Sequence, residues 1–204
     1  MTIILTIITL SNIIEVSYIK GERLTMETFK TACIIGHRDV EDTPELRDTI
    51  RSVFEAMIDI WSTEYFLFGS GSNFDRACLS VATGLREKYP QIRRIYVRAE
   101  FPDIDERYRE TLLEKYDDTF FPEELRSAGR ARYVERNRIM IDMSDCCVFY
   151  YDPDISPTDR AGKKRKSGTE IAYTTAVKKK KEIFNIAEIM YPEKEIICPE
   201  KFVK

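Results

Sequence analysis

Residues 31–61 read TACIIGHRDVEDTPELRDTIRSVFEAMIDIW, and residues 65–85 read YFLFGSGSNFDRACLSVATGL. Each begins with a short apolar run (32–35 and 65–68), breaks at a glycine, and continues as an amphipathic stretch of helical length. In the first, Leu46, Ile50, Val53, Phe54, Met57, Ile58 and Trp61 recur at spacings of three and four, one stripe of an α-helix over 44–61. In the second, Ala77, Cys78, Val81, Ala82 and Leu85 do the same and predict a helix over 74–89. The alternation continues with strands at 95–97, 146–150 and 183–186 and helices at 133–143 and 169–180. Strands alternating with such helices indicate an α/β fold: a single Rossmann-like, three-layer domain with a mostly parallel sheet and helices on both faces.

Composition agrees with a globular chain. The 204 residues carry 32 basic and 35 acidic side chains, a net charge of -3, with 43% hydrophobic residues, which suffices for one sizeable core. With 11 Phe and 11 Tyr, disorder is excluded as the main state. The near-neutral balance argues against nucleic acid as a partner. Five cysteines, Cys33, Cys78, Cys146, Cys147 and Cys198, form neither a disulfide framework nor a CxxC pair, and a reduced, cytoplasmic setting is expected. His37 is the one histidine, so no metal site is expected.

Residues 1–14, MTIILTIITLSNII, are apolar but lack a preceding positive charge and are too short to span a bilayer. They fit an extra β-strand, a weak anchor, or sequence upstream of a start at Met26, and no membrane partner is expected. The domain is accordingly read as 26–204, after an extension over 1–25. The tail from Ile189 to Lys204 is read as a final strand.

In open parallel sheets ligands bind beyond the carboxyl ends of the strands, so the residues after each strand are the candidate site. The first strand leads into Gly36, His37 and Arg38, which serve equally as a binding loop or a surface turn. The second leads into Gly69, Ser70, Gly71 and Ser72 at a helix start, where free N–H groups and the helix dipole favour an anion. A tight βα turn would use similar residues. Asp75, one turn later, offers an acceptor for a ribose hydroxyl or a charge complementing the dipole. Arg136 and Asn137 lie near the start of the 133–143 helix, on a face read as distinct from Ile139, Met140 and Met143; a guanidinium there suits a phosphate. Ser167, Gly168 and Thr169 open the last predicted helix as a second anion nest, with Glu170 either capping it or facing a ligand. The loop 152–168, DPDISPTDRAGKKRKSG, has the composition of a lid, and its basic run 163–166 either closes on a phosphate or is solvated.

These loops, in this order, resemble the SLOG superfamily and within it the YpsA-like proteins. The stretches that carry the resemblance are CIIGHRD (33–39), FLFGSGSNFDRACLSVATGL (66–85), KYPQIRRIYVRAEF (88–101), RYVERNRIMIDMSDCCVFYYDP (132–153) and SGTEIAYTTAVKKKKEIFNI (167–186). The resemblance implies a Rossmann-like fold that binds a nucleotide or nucleotide-derived small molecule, including a nucleotide sugar, with no further cofactor, and a homodimer as in LOG-like relatives. In LOG phosphoribohydrolases an Arg and the Glu of PGGxGTxxE cleave the bond between base and ribose phosphate. Arg136 matches the first, but the PGG is missing and the GTxxE glutamate falls on Ala172. Aligned instead with the ExGxA pattern of nucleoside deoxyribosyltransferases, Glu170 takes the place of the nucleophile. Two readings follow from the resemblance: a nucleotide sensor without chemistry, or an enzyme acting at an N-glycosidic bond through Glu170 and Arg136. A third, single-stranded DNA binding as in DprA, rests on the 163–166 run alone.

Overall fold

The computed structural model describes residues 3–9, 12–18, 29–155, 157 and 165–193. Met26, Cys198, and Lys163 and Lys164 of the basic run lie outside the described residues. Strands β1 (Ile3–Thr9) and β2 (Asn12–Tyr18) form an antiparallel hairpin with Ile7 opposite Ile14, pairing with no other described strand. Of the alternatives offered for this stretch, an extra strand is the nearest, and two strands are found.

The main sheet contains β3 (Thr31–Gly36), β4 (Tyr65–Phe68), β5 (Arg93–Val97), β6 (Asp118–Phe120), β7 (Cys146–Tyr150) and β8 (Glu182–Asn185). All are parallel, in the order β6-β5-β4-β3-β7-β8. The central strands read as unbroken apolar runs because both faces are covered; all five residues of β7 are buried.

Side-chain alternation divides each strand between two layers. Ala32, Ile34, Phe66, Phe68, Cys146 and Val148 face one way and pack with α1 (Pro44–Trp61), α2 (Asn73–Leu85) and α6 (Ile186–Met190). Cys33, Ile35, Leu67, Cys147 and Phe149 face the other way, against α4 (Arg132–Met143) and α5 (Gly168–Lys178). The fold is therefore the expected three-layer α/β arrangement. Cys33, Cys78, Cys146 and Cys147 are all buried and free. Among the described residues, no helix is long and apolar enough to cross a membrane.

Helix α1 shows how sequence sets an element. Pro44 occupies its first turn, Thr43 Oγ1 accepts from the Leu46 N–H at 3.2 Å, and Leu46, Ile50, Phe54, Met57 and Ile58 are buried. It stops where Ser62 takes a left-handed conformation.

Four of the departures from the sequence reading bear on the layout. Helix α2 ends at Leu85 rather than at 89. Residues 186–190 form α6, so the tail does not begin as a strand. The other two are new elements, β6 and α3 (Glu106–Leu113); α3 buries none of its residues and therefore shows no apolar stripe. On the sheet, β3 connects through α1 to β4 on one side, whereas β7 connects through α5 to β8 on the other. Their divergence opens a crevice above the carboxyl ends of β3 and β7, the usual ligand position in such sheets.

Candidate functional site

A cleft of about 950 Å³ occupies that crevice. Of the candidate residues, Gly36, His37, Arg38, Gly69, Ser70, Gly71, Ser72, Asp75, Arg136, Asn137, Ser167, Gly168 and Thr169 all line it. Glu170 does not line it; it is half-buried on α5, where its charge acts on His37.

The glycine-rich turn after β4 is organised from within. Asp75 is buried, and its Oδ2 accepts from the backbone N–H groups of Ser70 (2.9 Å) and Gly69 (3.4 Å). Its Oδ1 accepts from the Ser72 hydroxyl at 2.9 Å, while Ser72 Oγ in turn accepts from the Asp75 N–H at 3.0 Å and so caps α2. Burial pushes the Asp75 carboxyl above its ordinary range, opposed by the Ser70 and Ser72 bonds and by the charge of Arg136. The turn's N–H groups at Gly69, Ser70 and Ser72 are thus already engaged, the last by Ser70 Oγ at 3.1 Å. Asp75 holds the loop in shape.

Two glycines here are dictated by packing. A Cβ on Gly36 would lie 2.2 Å from the Phe74 ring, and one on Gly69 would lie 2.6 Å from Arg136 Nε. Gly71 has open space around its Cα.

Arg136 is buried under this turn. Its guanidinium donates to the Gly69 carbonyl and, through Nε and NH2, to Asn137 Oδ1 at 3.2 and 3.0 Å. Its hydrogen bonds among the described residues go to neutral oxygens, and the charges that act on it from farther away are Asp75 first, then Tyr96 and Glu100. Arg136 shares a helix face with Met140, one turn on, and both approach Gly69. The expected separation of Arg136 from the apolar side of α4 is therefore incorrect: Met143 is half-exposed, and the inward stripe is Arg136, Met140 and Ile141.

Helix α5 presents its N-terminus to the same cleft. Ser167 Oγ accepts from the Glu170 N–H at 2.9 Å, which leaves the N–H groups of Gly168 and Thr169 without a partner among the described residues. With the helix dipole, they present a positive end to the cleft that Arg136 also lines. Arg38, Arg76, Arg98 and Lys166 add positive charge to the lining.

His37 is anchored within the cleft wall. It is buried, and its Nε2 lies 3.1 Å from the Asp152 carbonyl oxygen and 3.2 Å from the Asp152 nitrogen, so either ring tautomer finds a partner there. Burial lowers its pKa below 6.5 despite Asp152 and Glu170, and it clamps the β3 exit to the segment after β7.

The sequence reading missed one wall. After β5 come Arg98, Ala99 and Glu100, facing the cleft with Tyr96, Tyr108 and Tyr133. The signal was present, because these residues follow a strand as the others do. No group of His, Cys, Asp and Glu side chains among the described residues is placed to hold a metal. No protein-family model matches the chain, and no curated protein matches it.

Proposed function

We propose that the cleft binds a phosphorylated nucleotide or nucleotide-derived small molecule and that the protein acts as a sensor, in line with the SLOG resemblance. One observation carries this reading: among the described residues, the buried Arg136 guanidinium donates only to neutral oxygens, with the charge of Asp75 acting on it from beyond hydrogen-bond reach. Buried charges need a counter-charge, and the α5 N–H groups lining the same cleft also favour an anion. A phosphate satisfies both at once, with Arg136 fixed in advance by the Gly69 carbonyl.

Binding is favoured over N-glycosidic chemistry because the PGGxGTxxE motif of such enzymes is missing, its glutamate position falling on Ala172. A concave site also fits a small molecule better than a polymer. The test is a thermal-shift screen of the purified protein against nucleotides and nucleotide sugars, with mass spectrometry of what co-purifies. Saturable stabilisation by one nucleotide class, without product, supports the reading. Turnover of a nucleotide that is abolished in E170Q would replace it with the enzymatic one.

A further inference from the structure

The wall after β5 has a different chemistry from the phosphate end. Tyr133 lies one helical turn before Arg136, whose Cζ sits 5.9 Å from the Tyr133 ring centroid, so an aromatic surface begins directly beside the buried cation. Tyr133 and Tyr108 are 49% and 40% exposed, large rings left open at the mouth of the cleft. Flat π-faces beside a phosphate site are what a nucleobase stacks on.

Glu100 lines the same wall. The Tyr133 hydroxyl donates to Glu100 Oε1, tying the β5 exit to α4 and fixing the carboxylate in the cleft. A carboxylate only accepts. Adenine and cytosine each place a ring-nitrogen acceptor beside their single amino donor, which a carboxylate repels. Uracil flanks its one N–H with two carbonyls. Guanine alone presents two adjacent donors, N1–H and the 2-amino group, to one carboxylate, and it needs a donor for O6. Arg98 lines the same wall; its NH1 donates to the Phe101 and Pro102 carbonyls at 2.6 and 3.2 Å, which leaves its NH2 without a hydrogen-bond partner among the described residues.

We propose that this half of the cleft is a guanine subsite in which Glu100 accepts from N1–H and the 2-amino group, Arg98 donates to O6, and Tyr108 and Tyr133 cover the ring. This rests on the reading of the other half as a phosphate site. The ligand class is then a guanosine 5′-phosphate or a guanine-containing nucleotide.

The experiment is calorimetric titration of the full chain with GMP, IMP, AMP and ribose 5-phosphate, repeated in E100Q. GMP binds at least about tenfold more tightly than IMP, which lacks only the 2-amino group, and than AMP. In E100Q the advantage of GMP over IMP falls to within about twofold, because an amide cannot accept both donors. Equal affinities for GMP, IMP and AMP, or a preference for AMP, overturn the guanine subsite while leaving phosphate binding intact. Failure of every ligand, ribose 5-phosphate included, overturns the phosphate reading and this inference with it.

Discussion

Arg136 and Gly69 are fitted to one another: the guanidinium donates to the Gly69 carbonyl, and a Cβ on Gly69 would lie 2.6 Å from Arg136 Nε and 2.7 Å from Met140 Sδ. The glycine is therefore the space in which the buried cation is stored. Gly69→Ala forces the guanidinium or Met140 to move, at a cost of about 1–3 kcal/mol in stability. On the proposed reading it also weakens nucleotide binding, by displacing the group assigned to the phosphate. Urea denaturation and a titration of the variant read the two effects, and retention of both at the wild-type level would show that Arg136 is not held as described.

The glycines of the site divide by what surrounds them. Gly36→Ala drives a methyl into the Phe74 ring at 2.2 Å, within a packed core, and should cost about 2 kcal/mol or more. Gly71→Ala meets nothing within 4 Å and should leave stability within about 0.5 kcal/mol of wild type. Denaturant midpoints of the pair check the contrast, and equal losses would contradict it.

Asp75→Ala removes the acceptor for the Gly69 and Ser70 N–H groups and for the Ser72 hydroxyl, leaving polar groups of the turn without partners. A loss of about 2 kcal/mol or more follows. Hydrogen exchange at the amides of Gly69 and Ser70 should accelerate in step, and unchanged protection there would remove Asp75 as the organiser of the loop.

His37 gives the chain a defined pH response. Its folded pKa is depressed by burial, so the unfolded chain binds a proton more readily. Its contribution to stability is therefore complete above pH 6.5 and is lost as pH falls below that value through the lower folded pKa. The imidazole proton resonances should titrate below 6.5 in the native protein. Stability should decline from pH 7 toward pH 5.5 in wild type and change less in His37→Asn. As the chain contains one histidine, the assignment needs no deconvolution.

Much of this architecture could be read from the sequence, for reasons visible in particular residues. The runs at 32–35 and 146–150 are legible because central parallel strands are covered on both faces. Helix α1 is legible because five of its residues enter one core. By contrast, α3 buries nothing and β6 has three residues at the sheet edge, so neither leaves a periodic trace. The same limit affected the site. Reading the residues after strands located Gly69–Ser72 and Ser167–Thr169, but hydrophobic spacing placed Arg136 outside the apolar face of α4. Only the three-dimensional fit to Gly69 reveals that this cation points inward with Met140.

The central claim is that the buried charge of Arg136 is met by the phosphate of a ligand. Calorimetric titration of wild type and Arg136→Met with ribose 5-phosphate and GMP tests it directly, with circular dichroism to confirm that the variant is folded. Saturable binding to wild type, weakened at least about tenfold for both ligands in the variant, is the predicted result. Equal affinity of a folded Arg136→Met for both ligands, or no binding of either by wild type, would contradict it.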